Sequence, residues 1–445
     1  MEKSTQPASS LSVTPPALRD HPSKLFVEST TRCNLSCAMC VKQRQGGESA
    51  EGDLDPALFA ALEPVIPHLE ALILNGVGEP LLHPQLEQFV RRGKELLPRN
   101  GWVGFQTNGL LMTNPRALSL VAAGVDRICL SMDSVSPEKF RELRRGGELV
   151  GVDQAFSTLA AAKSICHRPD LQVGVEFVAM GHNLHELPGA LRWAAHRGAT
   201  FAIVTHLLPY DQEHAGEALF GDCSAEAVEL FRKWQQIGEK QGVEISRYFE
   251  ARFLRYARTP EEEAIVGLVA GLKQDADHRG ILLDVKKLIR LDYHRLERVE
   301  ALFAQAREVA TESGLELRLP EVSLQEKRRC GFVEEGSAFV SWQGDVSPCY
   351  FLWRRFDCYA SGWSQQVQPK RFGNLARTPL LNIWNSPEFR EFRHTVLEYD
   401  YPACSGCTLA PCDYVQNETF EQDCHIRTVP CGACLWCAGV FQCLR

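Results

Sequence analysis

The short apolar run Lys24-Leu25-Phe26-Val27 leads into Cys33-Asn-Leu-Ser-Cys37-Ala-Met-Cys40, and the next cysteine does not come until Cys129. A four-iron cluster held by protein alone wants four thiolates, so three crowded thiolates without a local fourth leave one iron open to a small molecule. A strand ending in such a loop places a reactive centre at the end of a sheet. The competing reading is a zinc site that borrows a distant ligand.

Outward from this loop, the first two hundred residues alternate short apolar runs with amphipathic stretches. Strands are predicted at Lys24 to Val27, Ala71 to Leu74, Gly101 to Thr107, Arg127 to Ser131, Leu171 to Ala179 and Ala199 to Leu207. Helices are predicted at Pro56 to Pro64, Pro84 to Leu97, Pro115 to Ala123, Val152 to His167 and Leu187 to His196, several opened by a proline. Strands separated by helices imply right-handed crossovers and a parallel sheet, an α/β chain. Six such units curl into a partial (β/α)6 TIM-like barrel, with functional residues where strands end. Those ends read Asn75-Gly76-Val77-Gly78-Glu79-Pro80, Thr107-Asn108-Gly109 and Ser131-Met132-Asp133. Glycine permits close backbone approach, Glu79 offers an acceptor for a cationic amine, and Ser131 and Asp133 can bind ribose hydroxyls. Singly these are ordinary turn residues; their order on one face gives them weight.

From Lys24 to about Leu208 the chain resembles the radical S-adenosylmethionine superfamily. The resemblance rests on Cys33-x3-Cys37-x2-Cys40, Gly78-Glu79-Pro80, Thr107-Asn108-Gly109, Ser131-x-Asp133 and Phe140-x-x-Leu143-Arg144. It implies that Cys33, Cys37 and Cys40 hold a 4Fe-4S cluster whose open iron is chelated by the amino and carboxylate groups of S-adenosylmethionine. It further implies that Glu79 faces the amino group, Ser131 the ribose and Arg144 the carboxylate, with Gly78, Asn108 and Asp133 completing the cofactor site. Met39 stands where the family usually has an aromatic residue against the adenine. The implied chemistry is reductive cleavage to methionine and a 5'-deoxyadenosyl radical, which abstracts hydrogen from a substrate carbon.

The composition is that of a globular protein. The 445 residues are 44% apolar, enough for a substantial core. A net charge of -8 offers no basic patch for nucleic acid. No apolar run approaches the ~18 residues of a membrane span, so no membrane partner is expected. Residues 1–21 have no apolar stretch that could serve as a signal-peptide core, and a cytoplasmic location is expected. There, 17 cysteines read as metal ligands rather than as a disulfide framework. Cys129, Cys166 and Cys223 read as small buried side chains.

The expected organisation is a flexible tail at 1–22, the core barrel at 23–210, a helical insertion with the last barrel helix and strand at 211–320, and a small cysteine-rich iron–sulfur domain at 321–445. Within the insertion, Ala225 to Gln241 and Arg295 to Ser313 are amphipathic. Each is followed by glycine and a short apolar strand, Val243-Glu244-Ile245 and Leu315-Glu316-Leu317. The segment 247–293 reads as a solvated helical cover or as a docking surface for a macromolecular substrate.

The late cysteines are Cys330, Cys349 after Gly344-x4, Cys404-x2-Cys407-x4-Cys412, Cys424, and Cys431-x2-Cys434-x2-Cys437-x5-Cys443. Their density exceeds the needs of one zinc, although two zinc ribbons remain an alternative. This part resembles the SPASM extension of radical enzymes, which carries two auxiliary four-iron clusters. The resemblance implies Cys330, Cys349, Cys404, Cys407 and Cys412 as ligands, followed by Cys424, Cys431, Cys434 and Cys443, with Cys358 and Cys437 set aside. His425 reads as locally bonded rather than ligating. Asp423-Cys424-His425 and the segment from Pro430 to Trp436 resemble metalloenzyme maturases, including those associated with tungsten-cofactor oxidoreductases. The expectation is an enzyme that modifies or matures a protein, possibly a metalloenzyme, and is reduced by a ferredoxin or flavodoxin. The alternatives are modification of a ribosomal peptide or sulfatase-type residue, and a non-catalytic iron–sulfur scaffold or electron carrier.

Overall fold

Each predicted barrel strand forms, because each is an apolar run that is covered on both faces. The computed structural model describes residues 14–43, 50–254, 256–360, 362–399 and 434–445. Strands β1 (Lys24–Val27), β2 (Ala71–Ile73), β3 (Trp102–Thr107), β4 (Arg127–Ser131), β5 (Gln172–Ala179) and β6 (Phe201–His206) pair in sequence order, all parallel. Helices connect them. In Leu86–Leu96, the buried Leu86, Phe89, Val90 and Gly93 repeat at helical spacing and turn one face to the sheet.

The later strands are β7 (Gly221–Ser224), β8 (Glu316–Arg318), β9 (Ser323–Leu324), β10 (Ser337–Val340), β11 (Asp345–Ser347), β12 (Phe356–Ala360), β13 (Trp363–Val367) and β14 (Gly373–Asn374). Two of them extend the parallel arc. β8 joins β6, as expected for the strand leading out of the barrel, and β10 joins β1 with Lys24 opposite Ser337. The resulting order is β14-β11-β10-β1-β2-β3-β4-β5-β6-β8, so main-chain pairing crosses the boundary expected at residue 320. Residues 243–245 form no strand. The edge beside β6 is taken by β8, and Ile245 instead starts a single 3-10 turn and buries among the insertion helices.

Strand alternation divides the apolar residues into two cores. Leu25, Val27, Leu72, Ile128, Leu130, Val204 and Ala338 face the surrounding helices. Phe26, Ile73, Cys129, Ile203 and Phe339 face inward and pack with residues of the cysteine-rich part. Cys129 is a fully buried core side chain, and Cys223 is buried in the insertion, whereas Cys166 is only half-buried. The insertion helices Ala225–Lys240, Pro260–Arg279 and Val285–Arg290 close around a core of their own, including Leu230, Phe231, Ile265, Leu272 and Leu288. Among the described residues no helix is long and apolar enough to cross a membrane.

Candidate active site

The loop after β1 is pinned from two sides by its backbone. Ser36 N–H donates to Arg145 O at 3.0 Å and Ala38 N–H to Leu143 O at 2.9 Å. Thr31 N–H donates to Gly52 O at 3.0 Å, and Glu79 N–H to Arg32 O at 2.7 Å. Gly78 is required at this crossing, since a Cβ there would lie 2.2 Å from Thr30 O. Cys33, Cys37 and Cys40 consequently line one cavity of 320 Å³. Burial raises all three thiols, Cys37 to about 11, although the Arg144 cation pulls Cys37 back. Ligation would therefore release protons at neutral pH.

The other expected cofactor residues divide by position. Gly78, Glu79, Asn108, Ser131 and Arg144 line the same cavity. Glu79 Oε1 accepts from Leu81 N–H at 3.0 Å and Thr107 Oγ1 at 2.5 Å, while Oε2 accepts from Asn108 N–H at 2.7 Å. Burial nevertheless raises its carboxyl. One bond at Oε2 leaves capacity for an ammonium group. Asn108 braces the cysteine loop, donating from Nδ2 to Asn34 Oδ1 at 2.8 Å. Arg144 follows the helix Pro137–Leu143, whose N-terminus is capped by Ser136, and its Nε is buried without a hydrogen-bond partner.

Asp133 departs from its expected place beside the ribose. It is fully buried, pairs with Arg144 at 2.7 Å and accepts Val178 N–H at 2.9 Å, and it does not line the cavity. The strand end turns its carboxylate behind Arg144, where it orients the guanidinium. Removing one partner of a buried pair costs about 3 to 5 kcal/mol. Asp133→Asn is therefore expected to lower the stability of the apoprotein by about 3 kcal/mol, as measured by urea unfolding. Unchanged stability would remove the structural role of the Asp133–Arg144 pair.

The sequence reading missed the cavity floor. Gln106 N–H donates to Asn75 Oδ1 at 2.7 Å, and Asn75 Nδ2 donates to Gln106 Oε1. Gln106 also hydrogen-bonds Glu176, whose carboxyl burial pushes up to about 7. The available signal was alternation: Val173, Val175 and Phe177 belong to the outer core, so Glu176 is a charged residue on the inward face. Met39 and Leu207 line the cavity, backed by the buried Leu143 and Met180, and form an apolar wall suited to a flat base. Tyr350 and Trp353 of the cysteine-rich part also line the cavity, with Tyr350 Oη donating to Gly76 O at 2.9 Å.

A second group of thiols forms away from this loop. The Sγ atoms of Cys434 and Cys437 lie 3.4 Å apart. Cys437 also hydrogen-bonds Cys330, and Cys349 is buried close enough to Cys330 and Cys434 for their charges to raise its thiol. Cys437, set aside under the SPASM resemblance, thus stands inside the group, whereas Cys443 lies in the cavity. Cys358 is buried on β12. Among the described residues no three His, Cys, Asp or Glu side chains close around a single ion. Cys404, Cys407, Cys412, Cys424, His425 and Cys431 lie outside the described residues.

These features suit the two cofactors. The buried unpartnered Nε of Arg144 fits a carboxylate, and the two thiol groups fit iron–sulfur clusters. The radical SAM superfamily model matches residues 27–194, and the SPASM iron–sulfur cluster-binding model matches 330–408. The chain is 27% identical to the tungsten-containing aldehyde ferredoxin oxidoreductase cofactor-modifying protein of Pyrococcus furiosus, over 94% of this chain and 96% of that one. It is 24% identical to the AdoMet-dependent heme synthase of Methanosarcina barkeri, over 91% and 97%. Streptococcus suis SuiB bound to S-adenosylmethionine aligns with a TM-score of 0.48 and 12% identity, over 84% of this chain and 68% of that one. The chain belongs to the radical S-adenosylmethionine superfamily, as an enzyme with a SPASM domain whose cofactors are S-adenosylmethionine and 4Fe-4S clusters.

Proposed function

We propose that the chain directs radical chemistry at a metalloenzyme, on its cofactor or on the protein that carries it. The observation behind this reading is one cavity bounded by Cys33, Cys37 and Cys40, by Glu79 and Arg144, and by the polar floor of Gln106 and Glu176. Near full-length similarity to a cofactor-modifying protein supports the choice of client. Cys33, Cys37 and Cys40 would hold the cofactor-binding cluster. Cys330, Cys349, Cys434 and Cys437 would hold one auxiliary cluster, leaving Cys404, Cys407, Cys412, Cys424 and Cys431 for another.

When bound and reduced, the first cluster supplies the electron that splits S-adenosylmethionine into methionine and a 5'-deoxyadenosyl radical. The chain's residues set the geometry for that event. Glu79 takes the amino group, Arg144, oriented by Asp133, takes the carboxylate, Ser131 meets the ribose, and the Met39 wall takes the adenine. Tyr350 and Trp353 exclude water from the cavity. Gln106 and Glu176 would orient the polar part of the substrate. The electron comes from a donor of ferredoxin or flavodoxin type.

Anaerobically reconstituted, reduced protein is expected to form 5'-deoxyadenosine from S-adenosylmethionine. Failure of the fully loaded protein to do so would overturn the reading. Addition of the metalloenzyme isolated from cells lacking this chain should raise the rate above that given by the same enzyme from complete cells. Equal rates would remove that metalloenzyme as the client.

A further inference from the structure

Residues 440–445 bridge the two ends of the parallel arc. Gln442 N–H donates to Thr205 Oγ1 on β6 at 3.2 Å, and Arg318 Nη1 on β8 donates to Arg445 O at 3.0 Å. The Arg445 guanidinium reaches Glu335, just before β10, at 3.4 Å. Leu444 packs inside the barrel with Phe26, Ile73 and Phe339. This anchoring places Cys443 in the wall of the cavity that holds Cys33, Cys37 and Cys40, close enough to Glu176 for the carboxylate to act on its thiol. The four-thiol group of Cys330, Cys349, Cys434 and Cys437 is complete without it.

We propose that Cys443, expected from the SPASM resemblance to be a cluster ligand, is instead a hydrogen-atom donor to carbon radicals formed in this cavity, an inference that rests on the functional reading above. Homolysis of the S–H bond passes one hydrogen atom to the radical, forming a C–H bond and leaving a thiyl radical. One electron from the ferredoxin- or flavodoxin-type donor and one proton from Glu176 restore the thiol. The transfer runs downhill because an S–H bond is weaker than the primary C–H bond that replaces it. It also needs a thiol rather than a thiolate. Burial pushes Cys443 up to about 12, so it keeps its hydrogen at neutral pH, while Glu176, near 7, can exchange protons.

The thiol hydrogen exchanges with solvent, whereas carbon-bound hydrogens do not. Reconstituted holoprotein, moved into thiol-free D2O buffer and reduced with S-adenosylmethionine but no substrate, is expected to yield 5'-deoxyadenosine carrying one deuterium. In Cys443→Ser, whose O–H bond is too strong to donate, the label should fall to natural abundance. The iron content of this variant should match wild type. A loss of about four irons would make Cys443 a ligand and overturn the inference. Unlabelled product from wild type also overturns it, as does label retained in Cys443→Ser, which would trace the donor to another exchangeable group in the same wall, such as the Tyr210 or Tyr350 phenol. If wild type forms no 5'-deoxyadenosine, the functional reading fails first.

Discussion

Replacing Cys33, Cys37 and Cys40 together by alanine is expected to abolish 5'-deoxyadenosine formation while about eight of about twelve irons stay bound. The loop keeps its path without the thiols, because Ser36, Ala38 and Thr31 hold it through their backbone N–H groups. The second thiol group draws on different elements. Cys330 precedes the helix Gly331–Glu334, Cys349 follows β11, and Cys434 and Cys437 lie beyond the helix Pro387–Glu398. Iron analysis with electron paramagnetic resonance of the reduced variant would show the auxiliary signals alone. Near-zero iron would mean that the clusters assemble as one unit, a demanding outcome to exclude because β10 ties the cysteine-rich part directly to β1.

Cys437→Ala is expected to lose about four irons and one auxiliary signal, although the SPASM resemblance set this residue aside. Its sulfur lies against those of Cys330 and Cys434, and Cys437 is 1% exposed. An auxiliary cluster left with three protein thiolates, and with no S-adenosylmethionine to chelate its open iron, becomes labile. The truncation removes only one sulfur atom, so retained β-sheet circular dichroism would separate cluster loss from unfolding. Wild-type iron in this variant would restore the assignment implied by the resemblance and leave the contact between the thiols as simple packing. Comparison with Cys443→Ser sharpens the test, since that variant is expected to keep its full complement.

Much of the barrel was legible because its information is local. A strand buried on both faces must be an apolar run, and a helix covering it must repeat its apolar residues at helical spacing. Lys24 to Val27, Trp102 to Thr107 and Arg127 to Ser131 announce themselves in this way, and the cysteine loop, taken with the strand-end residues, carries the family resemblance that implies its chemistry. Glu79 and Arg144 were legible as residues of the cavity, but the three hydrogen bonds accepted by Glu79 were not.

What the sequence by itself determined was the six βα units, the triplet of thiols and the family's cofactor chemistry. The tertiary structure decided which chain segments meet. It set Asp133 behind Arg144 instead of beside the ribose, turned Glu176 inward, seated β10 against β1, and exchanged Cys443 for Cys437 in the thiol group. The physical reason is range. Helix and strand periodicity are fixed by neighbours a few residues away, whereas an ion pair or a cluster site depends on groups brought together by strand pairing and loop closure across hundreds of residues.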